Sequence, residues 1–288
     1  MHRRTFVSAG AMAFVPPLGA RSARSGGPRL RVGADPGVVE AGLAHALRQA
    51  FGRDTGIGFD LVAVPAMPLL AALAAGELDV ALSNAPAEEA RLDSQGLAHD
   101  RRAIAAGSFV LVGPGSPSVA VGQGLGAGPP AASRRWPPAR PVPITADVVG
   151  LLRQIQELAP LRGHVFLSAG DGSGAHLAEQ AAWRLAGVAP GLPWYRTSDP
   201  AQGAFIDQVA ARGAFAVVGR GTWAARGRSP LAILAEDPAT LGETVHAMRS
   251  FRSPHPAAKL FVAWISGARG QNVVSRVAGY RPVRTGRP

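Results

Sequence analysis

The amino-acid sequence predicts an α/β protein of two lobes with a cleft between them. Two observations carry that expectation. Short apolar runs alternate with segments whose apolar positions recur at helical spacing. The alternation occurs twice, on either side of a Gly/Pro-rich break at 113–143, and 288 residues suffice for two moderate cores.

The first block opens with a strand over 30–32. Leu43, Ala46, Leu47 and Phe51 share one helical face, which gives a helix over 39–51 with Gly52 just past its end. A strand over 59–64 follows, then a helix carrying Leu69, Leu70 and Leu73, stopped by Gly76-Glu77, and a strand over 79–82. This βαβαβ order implies a mostly parallel sheet covered by helices on both faces. Residues 103–113, with Phe109-Val110-Leu111-Val112 at their centre, form a longer extended run. The second block holds a helix through Val148, Leu151, Leu152 and Ile155, a strand over 165–167, helices over 174–185 and near 206–211, and a strand over 215–218. A strand over 231–234 and a helix through Leu260, Phe261, Trp264 and Ile265 close the chain. The expected division is 28–107 plus 221–288 as one lobe and 108–220 as the other, with crossings near 108–113 and 217–221. Residues 113–143 are either an insertion or a partner-binding segment.

Residues 1–25 have the order of an export signal: a basic head at His2-Arg3-Arg4, an apolar stretch to Leu18, and small residues at Gly19-Ala20. Arg3-Arg4-Thr5-Phe6-Val7 resembles a twin-arginine signal, with the general secretory route as the other reading. The periplasm is the expected compartment. Cysteine is absent, which excludes disulfides and thiolate chemistry. The formal charge of +11 does not point to nucleic acid: only Lys259 among 30 basic residues is lysine, and the arginines are scattered rather than gathered on one face. There is no nucleophile elbow, no metal-ligand histidine pair and no clearly spaced carboxylate pair, so neither an enzyme nor a cofactor or metal is expected.

In open α/β folds, ligands sit beyond the carboxyl ends of strands, against helix N-termini. That directs attention to the loops after each strand. Ser173-Gly174 opens a helix, offering N–H groups, a hydroxyl and the positive end of the dipole. Ser173 either caps that helix alone or also meets a ligand, and Asp171 closes the turn or caps. Arg220, between Gly219 and Gly221, either pairs an anion or forms an interlobe ion pair. Ser83-Asn84 ends the third strand, and His176 reads as structural.

These pieces together resemble the tungstate-binding (TupA-type) periplasmic proteins of ABC importers, within the phosphate- and molybdate-binding-like superfamily. Phe109 to Pro114 resembles that family's central crossing strand, and Asp171-Gly172-Ser173-Gly174-Ala175-His176 its Asp-Asp-Ser-Gly-Thr-His loop, with Trp183 and Trp194-Tyr195 following. Gly213-Ala214-Phe215 through Gly219-Arg220-Gly221-Thr222-Trp223, and Gly270-Gln271, continue the similarity in collinear order over roughly 30–279. The resemblance implies a type II periplasmic-binding-protein fold and a monomer that captures a small solute or oxyanion and presents it to an ABC permease. It implies ligand contacts at Ser83, Asp171, Ser173, Gly174, Arg220 and Thr222, and the place of Asp35 in the loop after the first strand makes it a further expected contact. An orphan or sensory protein with a changed or lost ligand is the alternative.

Departures from the family bear on the ligand. The hydroxyl-rich loop after its first strand is Ala34-Asp35-Pro36-Gly37 here. Its loop arginine is Ala169, its threonine is Ala175, and its Gly-Thr-Gly-Lys loop is Pro65-Ala66-Met67-Pro68. At about 1.5–3 kcal/mol per charge-assisted hydrogen bond, these losses remove roughly 5 kcal/mol of oxyanion affinity. Asp35 adds repulsion on the order of 4 kcal/mol per unit charge at ~4 Å. A cation-bearing or zwitterionic solute is then the expectation, with Asp35 taking its positive end and Arg220 or the helix start its negative end. The competing expectation is that Asp35 and Arg220 pair across an empty cleft.

Overall fold

The computed structural model describes residues 29–114 and 144–283. The expected export signal, and the 113–143 stretch beyond Pro114, lie outside the described residues. Strands β1 (Leu30–Ala34), β2 (Phe59–Ala63) and β3 (Val80–Ser83) are parallel, with β1 between the other two. Helices α1 (Pro36–Glu40), α2 (Leu43–Thr55) and α3 (Ala66–Ala75) connect them. The helix expected over 39–51 is in fact two. Gly42, at φ 81, separates α1 from α2, and Gly52 lies inside α2, which ends instead at Gly56 with φ 73.

After α4 (Pro86–Ser94) comes β4 (Ala98–Pro114), a strand of 17 residues that belongs to two sheets. Its first half pairs antiparallel with β9 (Gly242–Ser250) and β10 (Arg281–Pro282), and β9 pairs in turn with β3. Its second half pairs antiparallel with β7 (Ala216–Gly219) and β8 (Leu231–Ala235). One strand thus links the lobes. The second lobe also contains α5 (Val148–Arg162), β5 (Phe166–Ser168), α6 (Gly174–Ala186), β6 (Tyr195–Thr197) and α7 (Phe205–Arg212), with β5 and β6 parallel. Helix α8 (Arg220–Arg226) follows β7 directly and packs against α1 in the first lobe.

Both sheets are covered on both faces, which explains the unbroken apolar runs. Phe109 and Leu111 join Phe166, Trp183 and Phe215 on one face, while Val110 and Val112 join Val209, Val218 and Ile233 on the other. In the first lobe, Val32, Leu47, Phe51, Phe59 and Leu82 pack with Phe261 and Ile265 of α9 (Pro256–Ser266). Leu69, Leu73, Ala81 and Met248 cover the opposite face.

Two features differ from the sequence pattern. Residues 221–288 were expected in the first lobe, but β8 pairs with the second half of β4, so the chain crosses again between β8 and β9. Strand β9 itself has no apolar alternation to announce it. Its polar residues are accommodated by partners: His246 Nδ1 lies 2.7 Å from Glu89 Oε2, Arg249 pairs with Asp100, and Glu243 with Asn84.

The Gly270-Gln271 pair has a packing role. Helix α10 (Ala268–Val274) lies so close to α9 that a Cβ on Gly270 would meet the Ile265 backbone. Gln271 Nε2 donates to Ile104 O at 2.9 Å and Ile265 O at 3.0 Å, and its Oε1 accepts from Val283 N at 2.9 Å. Gly270→Ala should therefore cost on the order of 2–4 kcal/mol by overpacking against rigid backbone. Gly191→Ala, with open space around it, should stay within about 1 kcal/mol of wild type. Urea denaturation of both variants checks the contrast, and equal stabilities would show that α10 shifts freely.

Candidate ligand-binding site

The two lobes meet at Asp35. This residue ends β1, where its N–H donates to Leu82 O at 3.0 Å. Its Oδ1 accepts from Gly37 N at 3.0 Å and so caps α1, with Pro36 at the first helical position, where no N–H is needed. Its Oδ2 accepts from Gly174 N, also at 3.0 Å. Gly174 is the first residue of α6 in the other lobe, so the carboxylate faces the positive end of a 13-residue helix. One side chain, only 1% exposed, thereby bonds to backbone of both lobes.

The loop before α6 is held from within. Ser173 caps the helix, its Oγ accepting from His176 N at 3.4 Å. Asp171 is exposed, and its Oδ1 accepts from Ser173 N at 2.9 Å. Gly172, at φ 75, donates its N–H to His176 Nδ1 at 2.9 Å. Its carbonyl accepts from Met67 N at 3.1 Å, a second bond between the lobes. His176 is thus a local brace.

Below Asp35 lies a buried polar group that sequence reasoning largely missed. The Asn84 side chain stands against Gly174 so closely that a Cβ there would collide with it, which is why position 174 must be glycine. Asn84 Nδ2 donates to Glu243 Oε1 at 2.8 Å, and Tyr280 OH donates to the same oxygen at 3.3 Å. Asn84 Oδ1 and Glu243 Oε2 have no hydrogen-bond partner among the described residues. In the sequence Asn84 stands out only as the neighbour of Ser83. Glu243 and Tyr280 carried no signal, because one lies in the unrecognised β9 and the other in the C-terminal loop.

The remaining expected residues divide. Thr222 is buried, and its Oγ1 donates to Gly37 O at 3.3 Å, which ties α8 to α1 beside Asp35. Ser83 is fully buried, its Oγ accepting from Ala85 N at 3.4 Å in a local turn. Arg220 does not meet Asp35: its Nε lies 3.6 Å from Glu236 Oε2, and Ser108 Oγ donates to Glu236 Oε1 at 2.6 Å. The structure therefore gathers Asp35, Gly174, Thr222 and Ser173, leaves Asp171 on the exposed rim, and turns Arg220 toward Glu236.

The electrostatics of this junction follow from its burial. Desolvation pushes the Asp35 carboxyl up to about 6, against the Gly174 and Gly37 amides that favour its charge and with Asp171 adding repulsion. Glu243 is pushed up to about 7, again by desolvation first, opposed by the Asn84 amide and reinforced by the charge of Asp35. Glu40, on the exposed side of α1, is raised as well, by partial desolvation and then by Asp35, Asp171 and Asp207. In a basic chain, the junction is locally acidic.

Residues 23–269 match the PBP superfamily domain. The chain belongs to the PBP superfamily. Tungstate-binding protein TupA of Peptoclostridium acidaminophilum is 26% identical over 241 residues, covering 82% of this PBP chain and 76% of the relative. Two solved structures share the fold. The tungstate ABC transporter structure from Geobacter sulfurreducens aligns with TM-score 0.64 at 23% identity, over 86% of this chain and 97% of that one. TupA from Desulfovibrio alaskensis G20 aligns with TM-score 0.63 at 24% identity, over 89% and 99%. The two-lobed α/β architecture of the PBP chain is the one these structures share.

The acidic junction has a measurable consequence for stability. Folded Glu243 keeps its proton at pH values where the unfolded chain has released it, so its contribution to stability falls as pH rises from about 4.5 through 7. Asp35 acts in the same direction up to about pH 6. Glu243→Gln keeps the acceptor for Asn84 and Tyr280 but removes the ionisation. Its stability relative to wild type should rise with pH by up to about 1.4 kcal/mol per unit within that window. Urea unfolding at intervals from pH 4.5 to 8 checks this, and a constant difference would mean that Glu243 ionises as an exposed carboxylate does.

Proposed function

We propose that this protein is the periplasmic solute-binding component of an ABC importer, working as a monomer that closes over a small solute and hands it to a membrane permease. Binding and release by lobe closure need no chemistry, only a difference in affinity between open and closed states. The observation that carries the reading is the contact of Asp35 in one lobe with the α6 N-terminus in the other. It puts buried polar groups of both lobes at a single point, as a closure-driven site requires. The relatives, a tungstate-binding protein and a tungstate ABC transporter structure, support the importer role. The expected export signal supports the compartment. The ligand contacts are Asp35, Gly174, Ser173 and Thr222, with Asp171, Ser83 and Arg220 around them.

We further propose that the solute is not a tetrahedral oxyanion. A carboxylate oxygen of Asp35 already accepts the Gly174 N–H, the donor that an oxyanion at this helix start would use. Ala34, Ala169 and Ala175 provide no replacement side-chain donors, and Arg220 is engaged by Glu236. A second reading, an orphan or sensory protein, is favoured by the same contact, since Asp35 satisfies the junction by itself. Calorimetric titration with tungstate, molybdate, sulfate and phosphate tests the proposal. Wild type should bind none of them tighter than roughly 10 µM, whereas the Asp35→Thr, Ala169→Arg double variant should gain at least tenfold affinity for one. Nanomolar binding by wild type would refute it.

A further inference from the structure

We infer that the junction takes the protonated amine end of a solute, held by the carboxylates of Asp35 and Glu243 and the amide oxygen of Asn84. This rests on the reading of the junction as the ligand site and names the class of ligand it would take.

Hydrogen-bond supply and demand point to it. Asp35 and Asn84 both converge on Gly174, one by its Oδ2 bond to the amide and the other by direct packing on the α-carbon. Asn84 and Glu243 are joined by the Nδ2–Oε1 bond. Yet Asn84 Oδ1 and Glu243 Oε2 receive no donor from any described residue, although both residues are 3% exposed. Buried acceptors left without a donor are costly, and native proteins rarely keep them without a use. An anionic solute would add acceptors and like charge to a place already short of donors. An ammonium group carries three N–H donors and no acceptor. Asp35 can accept beyond the Gly37 and Gly174 amides, because an ionised carboxylate offers about four acceptor positions.

Charge points the same way. Asp171 before α6 acts on Asp35, Asp35 acts on Glu243, and Glu40 on α1 feels Asp35, Asp171 and Asp207 of α7. Of the basic groups near the junction, Arg220 pairs with Glu236, and Arg226 pairs with Asp207. Tyr280 faces Glu243 as a neutral hydroxyl, raised further by burial and by that carboxylate. A bare hard metal ion is a poorer match. Calcium takes six to eight oxygens, and among the described residues no three His, Asp or Glu side chains are placed to hold a metal.

The experiment is calorimetry on the mature chain with methylammonium, ethanolamine and putrescine as chlorides, beside tetramethylammonium and calcium. Tetramethylammonium has the same charge as methylammonium but no N–H. At least one primary amine should bind with Kd below about 100 µM at pH 7.5, with tetramethylammonium at least tenfold weaker. Because binding requires Asp35 and Glu243 ionised, affinity should drop at least tenfold at pH 5.5, with proton release, larger at the lower pH, that makes the heat depend on the buffer. Glu243→Gln should weaken binding at least tenfold, and so should Asn84→Ala, which carries the test alone if the first variant melts early. The inference is overturned if no primary amine binds, if tetramethylammonium or calcium binds as well as the amines, or if both variants bind normally. Oxyanion titrations on the same sample separate the cases. Tight tungstate binding would bring down the non-oxyanion reading too, while silence from amines and oxyanions alike removes only the amine.

Discussion

A buried carboxylate between two backbone amides on different lobes is the constraint around which the junction is organised. Asp35 can reach Gly174 only because β1 and β3 hold its backbone through Leu82, and because α1 begins at once with Pro36. Gly174 can present its N–H only because it has no Cβ to strike Asn84. On the other side, Gly221 is packed against Ala41 and Tyr280, which brings Thr222 to the Gly37 carbonyl. The glycines of the Gly-Ser-Gly and Gly-Arg-Gly-Thr segments thus serve close approach between lobes. Their conformational freedom matters mainly at Gly172, where a left-handed turn delivers its carbonyl to Met67.

Long-range connectivity serves the same junction. Strand β4 lies in both sheets, and its Ser108, at the changeover, donates to Glu236 on the return path between β8 and β9. That bond fixes Glu236 where it engages Arg220, which leaves the guanidinium no role opposite Asp35. The resulting balance of charge is local and unlike that of the chain as a whole. Scattered arginines make the protein basic, while the interior of the junction holds carboxylates whose protons are retained by burial and mutual repulsion.

Much of this was legible in the sequence where periodicity is strong. The βαβαβ opening and the apolar centre of β4 follow from spacing alone, because both faces of each sheet are covered and few polar residues interrupt. Strand β9 was not legible. Its glutamate and histidine are buried, and its arginine half-buried, against partners far along the chain, at Asn84, Glu89 and Asp100, and no local pattern encodes those pairings. Glu243, and with it half of the polar group beneath Asp35, was lost for the same reason. Asp35 stood out as a substitution in the loop after the first strand. Its partner did not, since a backbone amide leaves no mark in a sequence and Arg220 was the only visible candidate.

The most direct measurement is the pH titration of the Gly174 amide by proton–nitrogen NMR. A carboxylate that accepts this N–H shifts the amide resonance as it gains a proton. If Asp35 holds the lobes together from a buried position, Gly174 and Gly37 titrate with a common midpoint near 6, and Asp35→Asn abolishes both transitions. A Gly174 resonance that stays flat across this range, or titrates near the ordinary aspartate value of about 3.9, would contradict a desolvated carboxylate bridging the lobes.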